Sequence, residues 1–222
     1  MRSFAISDIH GCAHTFDALI SNVIQLKKED TLYLLGDYID RGPRSKEVLD
    51  IIMGLQQKGY SVQALKGNHE EICLRSFDNS DALRGWLING GDATLKSFSV
   101  AVPHQIPKQY ITFLEGLSYY KELEHYLLVH AGFNFKAADP FEDKESMLWI
   151  RNFKVEGQKI VVHGHTPTVR HEIEGSILNV AEDKKIDIDN GCVYVSKGSE
   201  FGSLCCLQLD NLHLFFQENI DL

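Results

Sequence analysis

Residues 31–42 read TLYLLGDYIDRG, an apolar run that breaks into glycine, two aspartates and an arginine. Runs of the same kind stand at residues 2–11 (RSFAISDIHG) and 61–70 (SVQALKGNHE). Each run begins with residues typical of a buried β-strand and ends in a polar loop. The segments between them carry apolar residues at helical spacing. Residues 2–70 therefore predict a βαβαβ unit.

Parallel strands joined by helical crossovers bring their carboxyl ends to one edge of a sheet. In the three runs this edge would carry Asp8, Asp37 and Asn68. Because ligands of open α/β sheets bind outside these ends, the three side chains are expected to share one cleft. Carboxylate, imidazole and amide donors without a thiolate are those that hard or borderline divalent ions select.

Two later apolar runs also end in histidine beside glycine. Residues 127–132 read LLVHAG and residues 160–166 read IVVHGHT. A buried strand of this kind delivers its last side chain into a cleft. Taken singly, such a histidine is more often a core or turn residue. In one ordered set with the three earlier segments, the histidines indicate metal ligands.

This ordered set of five segments resembles the metallophosphoesterases of the phosphoprotein phosphatase family. Residues 86–94 and 148–151 are more narrowly similar to compact bacterial and bacteriophage-lambda-type serine/threonine phosphatases. The resemblance extends from about residue 4 to about residue 195. It implies an α/β fold with two packed mixed β-sheets flanked by helices, the calcineurin-like sandwich. We expect residues 1–222 to form a single catalytic domain.

The resemblance also implies two divalent metal ions, with Mn2+ as the first choice and Fe or Zn as alternatives. The first ion would be held by Asp8, His10 and Asp37. Asp37 would bridge to the second ion, because two nearby dications need anionic charge between them. The ligands implied for that second ion are Asp37, Asn68, His130 and His165.

The remaining site residues would act on the substrate. Arg41, Arg151 and Asn68 would bind the phosphoryl group, with a structural ion pair as the alternative for Arg151. By resemblance, His69 would protonate the leaving group. Asp40 would orient His69 and keep it charged, or would otherwise only cap its own loop.

Three further side chains are expected to lie near the site without binding metal. His163 precedes His165 by two residues, and we expect it to pack behind the site rather than bind metal. Asp189, in a stretch that resembles the family's late Asp-x-Gly turn, would orient a ligand histidine. Cys12 is expected to be a small packing residue, because a thiolate would favour softer metals than the other ligands suit.

Composition excludes some classes of protein. The chain has 222 residues and a formal net charge of −9, which argues against a general nucleic-acid binder. Its five cysteines fit no zinc spacing and indicate reduced, buried thiols. No apolar run has membrane-spanning length, and residues 1–4 lead directly into the first strand. These features predict a cytoplasmic protein without a membrane partner.

Residues 78–117 show a less regular pattern that ends in a predicted helix at 107–115. The rest of the chain is expected to be rich in β-structure. The predicted strands are residues 119–123, 126–130, 159–163, 176–180, 185–189 and 192–196, followed by a hairpin of residues 203–209 and 212–217.

The resemblance implies a phosphomonoesterase that uses direct attack of a metal-bound hydroxide. Because no long insertion separates the motifs, the cleft is expected to be open, which suits phosphoserine and phosphothreonine in proteins or peptides. The first alternative is a hydrolase of diadenosine tetraphosphate, since the same motifs occur in such enzymes. The second alternative is a silent phosphate-binding module. The sequence identifies no regulatory partner.

Overall fold

The computed structural model describes residues 1–196 and 198–222. Their β-strands are β1 Ser3–Ile6, β2 Thr31–Leu34, β3 Ser61–Ala64, β4 Tyr120–Glu122, β5 Tyr126–Val129, β6 Ile160–His163, β7 Lys185–Asp187, β8 Ser203–Gln208 and β9 His213–Glu218. Their α-helices are α1 Ala13–Ala18, α2 Ser45–Gln57, α3 Asn68–Arg75, α4 Ser80–Trp86, α5 Asp92–Ser97, α6 Lys108–Glu115, α7 Lys144–Trp149, α8 Arg170–Leu178 and α9 Val180–Asp183.

The first sheet has the strand order β3-β2-β1-β8-β9. Strands β1, β2 and β3 are parallel, and α1 and α2 lie in the two connections between them. This confirms the predicted βαβαβ unit. The predicted hairpin of residues 203–217 is present as the antiparallel strands β8 and β9, and β8 pairs with β1, so the hairpin extends this sheet.

The second sheet has the order β4-β5-β6-β7. Strand β4 is antiparallel to β5, whereas β5, β6 and β7 are parallel. Both sheets are therefore mixed. Helices flank them, so the predicted α/β architecture is confirmed.

Alternating side chains hold the sheets together. Phe4 and Ile6 of β1 belong to the apolar cluster that packs against the helices, whereas Ala5 between them belongs to the cluster between the sheets. Leu128 of β5 and Val162 of β6 meet Ala5 in that cluster. Successive side chains of a strand point to opposite faces of the sheet, so β1 is buried on both of its faces.

Two predicted strands are wrong. Residues 176–180 end α8 and lead into α9, because the parallel strands β6 and β7 need a crossover, and a helix supplies it. Residues 192–196 form no strand; Gly191, with φ +61°, begins a turn that Tyr194 closes by donating its N–H to the Gly191 carbonyl. The nearby Cys192 carbonyl accepts from the Asn219 side chain instead of a neighbouring strand.

The irregular region 78–117 contains α4, α5 and α6 with short π- and 3-10-helical turns between them. All five cysteines are free and buried, as predicted. Within residues 1–196 and 198–222, no helix is both long enough and apolar enough to cross a bilayer. The cytoplasmic location stays a prediction.

Candidate active site

The predicted ligands gather at the carboxyl edges of the two sheets. In the first sheet, Asp8 follows β1, Asp37 follows β2, and Asn68 opens α3 after β3. In the second sheet, His130 comes directly after β5 and His165 follows β6. The edges face one another because the sheets pack as a sandwich, so all five side chains reach one buried cleft.

Four donor atoms converge on one side of this cleft. Asn68 Oδ1 lies 2.8 Å from His130 Nε2 and 3.1 Å from His165 Nδ1, and the two ring nitrogens are 3.2 Å apart. Asp37 Oδ2 is 3.5 Å from His130 Nε2. These are separations expected between neighbouring ligands of one metal ion, and the atoms belong to the four residues predicted for the second ion.

The second group shares Asp37. His10 Nε2 lies 3.5 Å from Asp37 Oδ2, and donor atoms of His10, Asp37 and His69 all fall within 4.8 Å of one another. Asp8, predicted as a ligand here, is buried outside this group, and its Oδ2 accepts the His165 backbone N–H at 3.1 Å. The structure thus places Asp37 between two groups that could hold metal.

Backbone carbonyls fix the orientation of two histidine rings. His10 Nδ1 donates to the Ile39 carbonyl at 2.9 Å, and His130 Nδ1 donates to the Leu35 carbonyl at 3.1 Å. Each neutral ring then carries its proton on Nδ1 and presents the lone pair of Nε2 to the cleft. This arrangement is typical of metal-binding histidines.

Charge in the cleft also fits divalent cations. Burial raises the pKa of Asp37, and the nearby charges of Asp8 and Glu70 raise it further, against a lowering by His69. Burial likewise lowers the pKa of His10 and of His130, which keeps both rings neutral. Buried carboxylates beside neutral imidazoles need positive charge that the ligands do not supply, so the residues present fit the implied ions.

His69 and Asp40 form a buried pair beside the metal ligands. His69 Nδ1 is 2.7 Å from Asp40 Oδ2, and its Nε2 is 3.9 Å from Asp37 Oδ2. Burial would lower the pKa of His69, but the charge of Asp37 and the hydrogen bond to Asp40 outweigh it and raise that pKa. Trp86 Nε1–H and the Thr94 hydroxyl both donate to Asp40, so the carboxylate is held by more than its own loop.

The two predicted phosphate-binding arginines lie at the mouth of the cleft. Arg41 Nη1 is 2.6 Å from His10 Nε2, and its guanidinium is 5.5 Å from the centre of the Tyr194 ring. Arg151 is exposed, close enough to His165 for its charge to help lower the pKa of that ring, after burial and His130. Its exposed guanidinium is accessible to an anion.

His163 and Asp189 lie behind the ligands. His163 ends β6, is 5% exposed, and stacks edge-on with Phe153 at 5.2 Å. Its ring is absent from both groups of donor atoms. Asp189 accepts the Gly191 N–H at 2.8 Å; in the described part of the chain it makes no hydrogen bond to a histidine.

Backbone conformation marks the same cleft. Nine described residues other than glycine have positive φ, and five of them are predicted site residues. They are His10 (φ 44°), Asp37 (53°), Asp40 (73°), Arg41 (68°) and His165 (75°). Left-handed conformations cost free energy in residues with a Cβ, and they cluster at functional sites where the surrounding structure holds them.

Glu70 was not assigned a role from the sequence, although it supports the whole ligand loop. Its buried carboxylate accepts the backbone N–H groups of Asp37 (2.8 Å), Tyr38 (2.8 Å) and Gly67 (2.9 Å). The sequence did contain a feature that could have identified this role, because a glutamate three residues after the N-cap Gly67 occupies the capping-box position. Trp86 and Thr94 had no comparable signal beyond resemblance, since their contacts with Asp40 span more than forty residues.

Comparison with known proteins agrees with this geometry. Residues 1–194 match the family model of the calcineurin-like phosphoesterases. The chain belongs to that family. It is therefore a hydrolase of the metallophosphoesterase class, and its Asp and His groups are those that could hold the metal ions of such an enzyme.

Individual relatives of this phosphoesterase differ in substrate. An asymmetrical bis(5'-nucleosyl)-tetraphosphatase, PrpE of Bacillus velezensis, is 29% identical over 85% of this chain and 84% of its own length. Serine/threonine-protein phosphatase 2 of Escherichia coli is 36% identical, over 40% of this chain and 38% of its own length. The solved structure of a proposed diadenosine tetraphosphatase superposes with a TM-score of 0.69 at 19% identity, covering 100% of this chain and 95% of the other, which shows the shared fold.

Proposed function

We propose that this phosphoesterase hydrolyses phosphate monoesters of serine and threonine in proteins or peptides, with two divalent ions, Mn2+ first, in its site. The observation that carries the proposal is the buried His69–Asp40 pair, which faces the ligand Asp37. A pair of this kind provides a proton donor at the place where the reaction occurs.

The nature of the leaving group decides between the candidate substrates. The alkoxide of serine or threonine is strongly basic, so it leaves slowly unless a proton reaches it in the transition state. The nucleotide released from a phosphoanhydride is a stable anion at neutral pH and needs no such proton. A proton donor held by Asp40, Trp86 and Thr94 therefore suits an alkyl monoester better than an anhydride.

In the proposed hydrolysis, residues of this chain supply the proton and bind the phosphoryl group. The ions would make a water acidic enough to lose one proton to the solvent, and they would neutralise charge on the phosphoryl group. As the water oxygen bonds to phosphorus, the bond from phosphorus to the side-chain oxygen breaks. The charged His69 ring keeps one proton on Nδ1 toward Asp40 and gives the Nε2 proton to the departing oxygen. Arg41 and Arg151 would hold the phosphoryl oxygens.

Hydrolysis of dinucleoside polyphosphates is the second candidate. The match to the Bacillus velezensis tetraphosphatase, which covers 84% of that protein, favours it. The same ligands and arginines could serve either reaction, because both transfer a phosphoryl group to water.

A substrate panel tests the proposal. Phosphoserine, phosphothreonine and phosphotyrosine peptides are compared with diadenosine tetraphosphate by kcat/KM, after chelation and readdition of Mn2+. We expect chelation to abolish turnover, Mn2+ to restore it, and phosphoserine or phosphothreonine peptides to exceed the dinucleotide. A dinucleotide value well above every peptide would favour the second candidate. Full activity in a verified metal-free sample would contradict the two-ion site.

A further inference from the structure

A pocket of about 500 Å³ lies in the second sheet's half of the molecule, between two loops that follow or contain candidate site residues in the chain. One wall comes from residues 133–136, in the loop after β5, and the other from residues 150–156, after α7. We call this cavity the aromatic pocket. Its volume is in the range of small-ligand sites.

The walls of the aromatic pocket continue directly from the candidate active site. His130 precedes the first wall by three residues, and Arg151 stands between two lining residues, Ile150 and Asn152. The Ala131 N–H donates to the Met147 carbonyl at 2.8 Å, which ties the first wall to α7. A substrate that is held by Arg151 therefore has its next groups within reach of the pocket.

Aromatic rings line the aromatic pocket. Phe133 is fully buried and contacts Phe135, with ring centroids 5.8 Å apart. Phe153 packs so closely over Gly132 that a Cβ there would lie 2.3 Å from its ring. The lining thus offers apolar surface that favours an apolar guest.

Hydrogen-bonding groups in the lining are already engaged or lie at the rim. Asn134 donates to Asp143 at 3.2 Å and accepts the Lys136 N–H at 3.2 Å. Asn152 is exposed. A nucleobase would bury ring nitrogens and amino groups against the aromatic walls, which offer them few partners away from the rim, whereas a hydrocarbon or phenyl side chain carries no such cost.

Charge at the rim is opposite to that of the whole chain. Lys136 and Lys154 are exposed at the mouth of the aromatic pocket, and Arg151 is exposed next to them. Glu156 is the acidic residue of the lining. In a chain with a net charge of −9, this local excess of positive charge complements an anionic peptide.

We infer that the aromatic pocket binds an apolar or aromatic side chain of the phosphorylated peptide, a few residues from the residue that loses its phosphate. The inference rests on the proposed function and deepens it by naming the preferred phosphopeptides. Specificity would then come from Phe135 and its neighbours, while Arg41 and Arg151 would hold only the phosphoryl group.

The test uses phosphoserine peptides in which one phenylalanine is moved through the flanking positions of an alanine-rich sequence. In the unmodified protein with Mn2+, we expect kcat/KM to rise about tenfold when phenylalanine reaches the position that fills the pocket. Phe135→Ala should abolish this preference and leave turnover of p-nitrophenyl phosphate, which is too small to reach the pocket, within about twofold. Phe113→Ala, on α6 outside the pocket, is the matched control and should keep the preference.

Each result has a distinct meaning. Equal turnover of all the peptides would overturn the inference and leave the proposed function standing, whereas turnover of p-nitrophenyl phosphate alone would overturn the proposed function itself. A preference that persists in Phe135→Ala would also overturn the inference. If Phe135→Ala instead impaired hydrolysis of diadenosine tetraphosphate alone, the pocket would bind a nucleoside and the inference would be wrong.

Lys154→Glu, on the exposed rim, tests the pocket without disturbing the core, and should lower kcat/KM for acidic peptides more than for neutral ones.

Discussion

The two sheets contribute different chemistry to one cleft. The first supplies all the oxygen donors, Asp8, Asp37 and Asn68, together with the imidazole of His10, whereas the second supplies only imidazoles, those of His130 and His165. The oxygen donors come from a continuous βαβαβ unit. The two imidazoles join them only when the second sheet packs against the first.

Contacts across the sandwich show how closely the halves must fit. His130 donates to the carbonyl of Leu35, and the His165 N–H donates to Asp8. Gly164 lies so near Asp8 that a Cβ would come within 2.2 Å of its carboxylate. Packing between the sheets therefore determines where the imidazoles of His130 and His165 lie. The Asp37 loop, in contrast, is held by Glu70 from the same half of the molecule.

The most damaging single change should be at the residue that serves both halves. Asp37→Asn removes charge shared by the two groups of ligands, so we expect kcat to fall on the order of a thousandfold. Asp8→Asn should lower kcat less, because Asp8 is expected to bind only one of the two ions. Measuring kcat at saturating Mn2+ together with bound metal per chain tests this comparison. Equal losses would count against a bridging role for Asp37.

A second change separates proton transfer from metal binding within the first half. We expect His69→Asn to lower kcat about a hundredfold on an alkyl phosphate and much less on p-nitrophenyl phosphate, whose leaving group departs without a proton. Metal content should stay unchanged. Because His69 also stands within 4.8 Å of His10 and Asp37, a parallel loss of metal would make it a ligand instead.

A third comparison lies in the second half. We expect His165→Asn to lower kcat/KM about thirtyfold and to raise the Mn2+ concentration needed for half-maximal activity, since its Nδ1 joins Asn68 and His130. His163→Asn, at the end of the same strand, should lower kcat/KM less than tenfold. Titration of both variants with Mn2+ measures the difference. A larger metal requirement in His163→Asn would reverse the assignment.

The first half of the site could be predicted because its rules are local. A strand followed by a polar loop, repeated with helical crossovers, places Asp8, Asp37 and Asn68 at one edge without knowledge of any other contact. The fold class followed in the same way. The pairing of His69 with Asp40 came from resemblance rather than from spacing.

The rest depended on tertiary contacts that the pattern cannot show. The choice of His165 over His163 came from resemblance; the pattern could not show the φ of +75° at His165 or the contacts of its Nδ1 with Asn68 and His130. Residues 176–180 are too short an apolar stretch to distinguish strand from helix, and the crossover between β6 and β7 decided the outcome. The ring of hydrogen bonds around Asp40 joins residues far apart in sequence.

The smallest effect on activity is expected at the opposite edge of the first sheet. Asp30 precedes β2, is 2% exposed, and accepts hydrogen bonds from the Arg2 side chain at 2.6 Å and from the Lys27 N–H at 3.0 Å. Burial would raise the pKa of Asp30, but these hydrogen bonds outweigh it and lower that pKa to about 2.

Because the folded pKa of Asp30 lies below its unfolded value, its stabilisation is present above about pH 4 and is lost as the pH falls toward 2. Asp30→Asn should therefore lower the free energy of unfolding by about 2 kcal/mol at pH 7 and by progressively less at acid pH. Its kcat should stay within about twofold, since the site lies at the other ends of the strands. Urea unfolding from pH 7 down to pH 3 measures the change. A pH-independent difference would contradict stabilisation by the ionised Asp30 carboxylate, and a large loss of kcat would mean that this edge and the site are not separable.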